Sequence, residues 1–154
     1  MEQDKGSGRI SALRVAALAA IAALGTAATG AEPQLTLEVE GLRSAKGNVL
    51  VCLTASPKAF PDCSRDPAAV KRKIPTRAAD RVDLGTVAPG SYAIALVHDE
   101  NGNGKLDTRL MIPAEGFGFS NNPAIAFGPP KFRAARFDFD GGSHAETVRM
   151  KYML

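Results

Sequence analysis

Strict alternation of apolar and polar residues over residues 34–40 constrains the fold of this chain more than any other feature. Leu, Leu and Val at alternate positions fall on one side, and polar side chains fall on the other. This is the two-residue period of a half-buried β-strand. More continuous apolar runs cover residues 48–54 and 92–98, as is typical of interior strands. The apolar pattern therefore predicts an all-β domain.

Glycine and proline separate the apolar runs, so the strands must be short. Four prolines between residues 57 and 75 break any long element there and leave room for one helical turn near 67–71. The first two strands are predicted to form a hairpin, and further strands are predicted at residues 81–84, 131–139 and 145–154. These patterns predict an antiparallel β-sandwich of immunoglobulin-like or transthyretin-like type, with six or seven strands and terminal strands that pair.

The N-terminus has the pattern of an export signal. Lys5, Arg9 and Arg14 form a basic start, an apolar run covers residues 15–24, and small residues precede Glu32. We therefore predict a signal peptide at residues 1–31 and a single β-sandwich domain at 32–154, in the periplasm or secreted. The mature form would have no membrane span, because the apolar run is short and rich in alanine. An uncleaved membrane anchor is the alternative.

Charge and cysteine content narrow the possible partners and compartments. The formal net charge is only +3, and no basic run with interleaved aromatic residues occurs, so a nucleic-acid partner is not expected. Two cysteines, Cys52 and Cys63, lie in the mature part. An even count in an exported chain favours a disulfide, with a pair of buried free thiols as the alternative.

A run of side-chain oxygens follows the strand at residues 92–98. Oxygen-bearing side chains alternate, a glycine stands at the sixth position, and another carboxylate follows, which matches the first half of a calcium loop. Alternating Asp and Asn can turn several oxygens toward one hard cation. The candidate Ca²⁺ ligands are the side chains of Asp99, Asn101, Asn103 and Asp107 and the backbone carbonyl of Lys105.

The match to a calcium loop is incomplete at its twelfth position. An EF-hand has a bidentate Glu there, whereas this chain has Leu110. Glu115 is the nearest carboxylate downstream and could complete the ligand set if its segment folds back. Asn-Gly pairs are also turn signals, so a metal-free turn is the alternative interpretation.

A second unusual segment lies within residues 107–131 and is rich in Gly, Pro, Asn and Phe. Long loops of this kind are either functional or held by their own contacts. We expect Phe117, Phe119 and Phe127 to be buried, with an exposed recognition surface as the alternative. The candidate recognition segment comprises Glu115, Phe117, Phe119, Ser120 and Asn121.

Four motifs together resemble a known family. They are Tyr-Ala-Ile-Ala-Leu-Val-His-Asp-Glu-Asn-Gly-Asn-Gly-Lys-Leu-Asp at 92–107, Ile-Pro-x-Glu-Gly-Phe-Gly-Phe-Ser-Asn at 112–121, Phe-Gly-Pro-Pro-Lys-Phe at 127–132 and Val-Arg-Met-Lys-Tyr at 148–152. This combination resembles an uncharacterised bacterial exported family, the domain of unknown function 2141. The resemblance implies an exported β-sandwich with a signal peptide. Related sequences commonly carry glycine just before the Ile-Pro pair, where this chain has Met111.

The loop at residues 99–107 is also similar, locally, to Asp/Asn-rich calcium loops in repeat domains of bacterial surface adhesins. That likeness implies that calcium would stiffen a connection between strands. The first functional hypothesis is therefore a periplasmic, non-enzymatic binding or structural module, whose partner is an envelope protein or a glycan.

Two other functions are considered. One is a small envelope hydrolase with Ser120 as nucleophile, His98 as base and Asp99 or Glu115 as orienting acid. The segment around Ser120 lacks the G-x-S-x-G pattern of a nucleophile elbow, which weakens this alternative. The other is a carrier for small apolar ligands, against which the absence of tryptophan counts.

Overall fold

The computed structural model describes residues 34–154, so the predicted signal peptide lies outside the described residues. Ten strands and one short α-helix occur in this part of the chain. The strands are β1 (Gln34–Glu40), β2 (Asn48–Thr54), β3 (Val70–Pro75), β4 (Arg81–Asp83), β5 (Gly90–Asp99), β6 (Thr108–Arg109), β7 (Ile112–Pro113), β8 (Gly116–Phe119), β9 (Phe137–Phe139) and β10 (Ser143–Arg149), and the helix is α1 (Phe132–Ala135). Short 3-10 turns cover Cys63–Arg65 and Thr76–Ala78. Within residues 34–154, no helix is long and apolar enough to cross a membrane.

The strands form two main sheets that pack face to face. The first sheet has the order β10-β1-β4, and the second has the order β3-β2-β5-β8, with β9 paired to the start of β5. Strands β6 and β7 form a separate small hairpin. The predicted all-β sandwich is confirmed, and the terminal strands β1 and β10 do pair, although in parallel.

The main core lies between the two sheets and is built from the inward faces of their strands. Its members come from both sheets and include Leu35, Leu37, Val39, Val148, Val49, Val51, Leu53, Ile94 and Leu96. The alternating pattern predicted for β1 is therefore confirmed, because its apolar side chains point into this core.

The predicted hairpin of the first two strands is wrong. Strand β1 pairs with β10 and β4 in the first sheet, whereas β2 pairs with β3 and β5 in the second. The connection at residues 41–47 crosses from one sheet to the other. Strands β1 and β2 each bury an apolar side in the core between the sheets, so pairing within one sheet is not required.

Three other predicted elements differ in extent from those observed. The helical turn expected near residues 67–71 is reduced to one hydrogen-bonded turn at Pro67 and Ala68, and β3 begins at Val70. The segment 131–139 is divided into α1 and β9 rather than forming one strand. The last strand ends at Arg149, after which Lys151 forms an isolated bridge with Phe117.

Two glycines let β10 cross close to β8 at one side of the sandwich. A Cβ atom on Gly116 would lie 2.3 Å from the Tyr152 ring, and one on Gly118 would lie 2.7 Å from the Val148 side chain. Phenylalanine at either position could not fit. The Gly-Phe-Gly-Phe sequence of β8 therefore directs its glycines toward β10 and its two phenylalanines to the opposite face.

The exposed edge of β10 is covered by a side chain rather than by another strand. The Asn122 amide donates to the Thr147 carbonyl at 2.9 Å and accepts from the Arg149 amide at 2.7 Å. Asn122 and Asn121 both have positive φ, 46° and 60°, which Asn tolerates better than most residues. Asn122 thus satisfies backbone groups that an edge strand otherwise leaves open.

Candidate functional site

Two neighbouring regions contain the predicted site residues: a polar loop at the end of β5 and an apolar groove on the outer face of the second sheet. In the polar loop, Asp99 is completely buried. Its carboxylate accepts the backbone N–H of Asn103 at 2.9 Å and of Gly104 at 2.8 Å. The first predicted calcium ligand therefore holds the turn together through backbone hydrogen bonds.

Three other polar side chains of the loop, those of Asn101, Asn103 and Asp107, converge on one point. The side-chain amide of Asn103 donates to Oδ2 of Asp107 at 2.8 Å, and that of Asn101 donates to the same oxygen. These bonds, first from Asn103 and then from Asn101, hold the pKa of Asp107 below its usual range. Lys105 contributes its backbone N–H, which donates to Oδ1 of Asn103 at 3.0 Å.

Glu115 folds back and closes the polar loop. Its carboxylate accepts the backbone N–H of Glu100 at 2.9 Å and that of Asp107 at 3.0 Å. The side chain is buried, so one carboxyl group holds both ends of the loop. Among residues 34–154, no cluster of three or more His, Cys, Asp or Glu side chains could hold a metal ion. A cation here would therefore need the amide oxygens of Asn101 and Asn103.

Ser120 and His98 do not form a catalytic pair. Both are fully buried. The Ser120 hydroxyl accepts from the Ile94 amide at 2.8 Å and also bonds the Ala135 carbonyl. Ile94 and His98 are four residues apart on β5, which corresponds to about 13 Å. The nucleophile and base of the hydrolase alternative are therefore held apart, and the Ser120 hydroxyl links β5 to α1 instead.

His98 belongs to a separate hydrogen-bond network. Its Nε2 lies 2.9 Å from the Lys46 carbonyl oxygen, and its Nδ1 lies 2.7 Å from the Tyr152 hydroxyl. Since a carbonyl only accepts, Nε2 carries the hydrogen and the Tyr152 hydroxyl can donate to Nδ1. The backbone N–H of Arg43 donates in turn to that hydroxyl at 3.1 Å. Burial raises the pKa of Tyr152, which keeps its hydroxyl protonated.

Arg43 links this network to Glu100, the residue that follows Asp99. Its Nε donates to Oε2 of Glu100 at 3.0 Å, and its guanidinium stands 4.4 Å from the centre of the Tyr152 ring. The hydrogen bond from Arg43 holds the pKa of Glu100 below its usual range. The network anchors the start of the polar loop to the body of the sandwich.

An apolar groove runs along the outer face of the second sheet, on the side away from the main core. It encloses about 1380 Å³, more than the 300–1,000 Å³ of typical small-molecule sites. Strand register places six apolar side chains on its floor, because directly opposed residues share a face. They are Leu50, Cys52, Ala95, Val97, Phe117 and Phe119.

Aromatic contacts and a disulfide shape one end of the groove. Phe60 packs edge-on against Phe119, with ring centroids 5.8 Å apart, and against Phe132 at 6.0 Å. The predicted disulfide joins Cys52 and Cys63, whose Cα atoms are 5.7 Å apart. It holds the loop after β2 against the floor of the sheet.

The edge strand β3 gives the groove a basic side. Lys71 lies opposite Cys52, and Lys73 lies opposite Leu50, so both lysines are on the groove face. Arg72 points to the other face, where its guanidinium lies near Gly85. Among the ion pairs of the described residues, none involves Lys71 or Lys73. The groove therefore combines an apolar floor with two free cations.

The model of one bacterial family matches residues 37–147; it is described as an uncharacterized protein conserved in bacteria (DUF2141). The chain belongs to this family. No curated protein and no solved structure matches it. The resemblance identified from the four motifs is therefore confirmed.

The residues of the candidate recognition segment lie in different parts of the structure. Phe117 and Phe119 are buried as predicted and line the groove, whereas Glu115 closes the polar loop. Asn121 donates its backbone N–H to Glu146 at 3.0 Å and so holds the turn after β8.

The predicted burial of Phe127 is wrong, because this side chain is fully exposed. It stands at the rim of the groove beside Gly128 and Pro129. Met111, at the tip of the β6-β7 hairpin, also borders the groove. Met111 has a left-handed backbone, with φ 67°, a conformation that glycine adopts with less strain than methionine.

Sequence reasoning missed the groove in this DUF2141 chain. The sequence pattern that indicates a groove is in β5. From Tyr92 to Val97 every residue is apolar, so both faces of this strand are apolar. One face meets the main core, and the other forms the groove floor. A strand that is apolar on both faces requires a second covering layer, and here that layer is incomplete.

Proposed function

We propose that the protein is an exported, non-enzymatic binding module that holds the apolar chain of an anionic amphiphile in the outer groove. The observation that carries this proposal is the pairing of an apolar floor with Lys71 and Lys73 on the same face. An alkyl chain would cover the floor, and its carboxylate would reach the lysines. The disulfide and the basic, apolar N-terminus support export.

The groove fits an alkyl chain better than a glycan. Its floor consists of aliphatic side chains, a disulfide sulfur and phenylalanine, which offer few hydrogen-bonding groups. A sugar would leave its hydroxyl groups unsatisfied against such a surface, which costs free energy. An alkyl chain gains free energy by leaving water, at about 0.8 kcal/mol for each buried CH₂ group.

A titration with a long-chain fatty acid tests this proposal, with the fatty alcohol of equal length as a neutral probe. We expect the double variant Lys71→Gln/Lys73→Gln to lose about tenfold in affinity for the acid, since two partly exposed ion pairs together contribute roughly 1.4 kcal/mol. The alcohol should bind both proteins equally. Arg72→Gln is the matched control, because this residue lies on the same strand but faces away.

The alternative outcomes are distinct. Failure of the wild-type protein to bind either probe would refute the apolar groove as a binding site. Equal loss of acid affinity in the double variant and in Arg72→Gln would refute the role of the two lysines and leave only general charge attraction.

We also propose that the polar loop binds calcium weakly. The observation that favours this second function is the convergence of Asn101, Asn103 and Asp107 beside the Asp99 carboxylate. Rotation of the two Asn amides would present oxygen rather than nitrogen at the common point. Calcium would then stiffen the connection between β5 and the β6-β7 hairpin, which stands beside the groove.

A further inference from the structure

Three large apolar side chains, at the rim of the groove or next to it in sequence, are almost fully exposed to solvent. Leu110 is 95% exposed, Met111 is 93% exposed and Phe127 is completely exposed. Leu110 and Met111 form the tip of the β6-β7 hairpin, and Phe127 lies in the loop before α1. The hairpin and the loop both border the groove, so the two tips rise from one side of the molecule.

The hairpin tip holds its apolar residues in a conformation that disfavours them. Leu110 has φ 49° and Met111 has φ 67°, as the two central residues of a type I′ turn require. Asn-Gly is the preferred sequence for such a turn, because bulky L-residues are strained at positive φ. The chain thus displays leucine and methionine at a turn that Asn-Gly would make with less strain.

Groove binding alone does not account for this display. Leu110 lies at the tip of the hairpin but does not line the groove. A large apolar side chain that is almost fully exposed to solvent is typical of a surface that binds a membrane or another apolar surface.

Basic residues flank both tips. Lys105 and Arg109 precede the hairpin tip, and Lys131 and Arg133 follow the Phe127 loop. Within residues 34–154, none of these four side chains takes part in an ion pair. Apolar tips with cations around them are complementary to an anionic bilayer, in which the apolar side chains enter the interface and the cations meet lipid phosphates.

We propose that the protein docks on anionic lipid bilayers through these two tips, Leu110–Met111 and Phe127. A second copy of the chain is a less suitable partner, because the same cations would face one another across the contact. Docking would bring the mouth of the groove to the membrane surface. The proposal does not require the groove to hold a ligand, since Leu110 acts outside it.

Flotation of the purified protein with vesicles tests the docking. Vesicles of equal parts phosphatidylglycerol and phosphatidylcholine should bind the wild-type protein, and pure phosphatidylcholine vesicles should bind it weakly. We expect Leu110→Asn/Met111→Gly and Phe127→Ser each to weaken binding to the anionic vesicles at least tenfold, a loss of about 1.4 kcal/mol. All variants share one N-terminus, so any contribution of its apolar run is equal in each.

The hairpin variant separates docking from folding, because Asn-Gly suits the turn and should maintain or raise the melting temperature. Ala88→Ser is the control, since it changes an exposed apolar side chain shortly before β5, at the end of that strand opposite the polar loop and the hairpin. Unchanged vesicle binding in both tip variants would overturn the proposal, as would equal binding to neutral vesicles. A wild-type dimer that the hairpin variant converts to monomer, without vesicle binding, would assign the tips to self-association instead.

Discussion

The buried carboxylate of Glu115 accepts the backbone N–H of Asp107, eight residues earlier in the chain, at 3.0 Å. Its second oxygen accepts the N–H of Glu100. The two donors lie at opposite ends of the polar loop, so one side chain fixes how β5 leads into the β6-β7 hairpin. The shape of the loop thus depends on a residue outside it.

Glu115→Ala should destabilise the protein by about 2 kcal/mol, because two loop amides would lose their acceptor in a buried position. Chemical denaturation monitored by circular dichroism would measure this loss. Glu38→Gln is a suitable comparison, since Glu38 pairs with Arg81 at the surface and such pairs contribute less than about 1 kcal/mol. Equal effects of the two substitutions would contradict the anchoring role of Glu115.

Calcium should raise the melting temperature selectively. At about 100 times the dissociation constant, a bound ion stabilises by about 2.7 kcal/mol, which corresponds to roughly ten degrees for a domain of this size. Differential scanning calorimetry in chelator, calcium and magnesium would measure the shift.

The Asp107→Asn variant is the control for calcium binding, because it retains the size of the side chain and removes its charge. It should lose most of the calcium shift. A shift that persists in this variant would place the ion elsewhere, and no shift in the wild-type protein would reduce the Asp/Asn pattern to a turn.

Acid should weaken the contact between Glu100 and Arg43. Because the folded-state pKa of Glu100 is depressed, its stabilising contribution is present above the unfolded pKa of about 4.3 and is lost as pH falls through the folded value. Glu100→Gln should therefore cost about 1 kcal/mol at neutral pH. The difference from wild type should shrink below about pH 4.

Denaturant unfolding over a range of pH would follow this difference. Glu40→Gln offers a control, because its ion pair with Arg149 is more exposed and should contribute less than about 0.5 kcal/mol. A constant gap between wild type and Glu100→Gln at all pH values would refute the ionic contribution.

Export should remove residues 1–31. Intact-mass spectrometry of protein recovered from a bacterial periplasmic extract should give a chain that begins at Glu32, because small residues precede that position. The full-length mass in a membrane fraction would instead support an uncleaved anchor.

Local patterns predicted much of the fold, whereas contacts between distant segments did not follow from them. The alternation at Leu35 and Leu37 identifies β1, but nothing near it indicates that β10 is its neighbour, since β10 lies more than a hundred residues away. The hairpin expected from proximity along the chain was wrong for this reason.

The candidate site shows the same limit. The loop that begins at Asp99 could be predicted because its residues are close together in the sequence. The groove is formed by β2, β3, β5 and β8, so predicting it requires the order of the strands in the sheet. Phe127 was misplaced because composition does not reveal whether a loop aromatic turns toward the sheet or away from it.

The bonds from Asn122 to the edge of β10 limit how this protein can bind other proteins through its sheets. Beyond β10, the chain is held by the bridge between Phe117 and Lys151. At the opposite edge of the same sheet, β4 is only three residues long. The edge strand β3 of the second sheet carries three consecutive cationic residues. Backbone hydrogen bonding therefore offers an incoming chain little to extend. The protein should therefore resist templated sheet growth, and recognition of a partner is left to its side chains and loop tips.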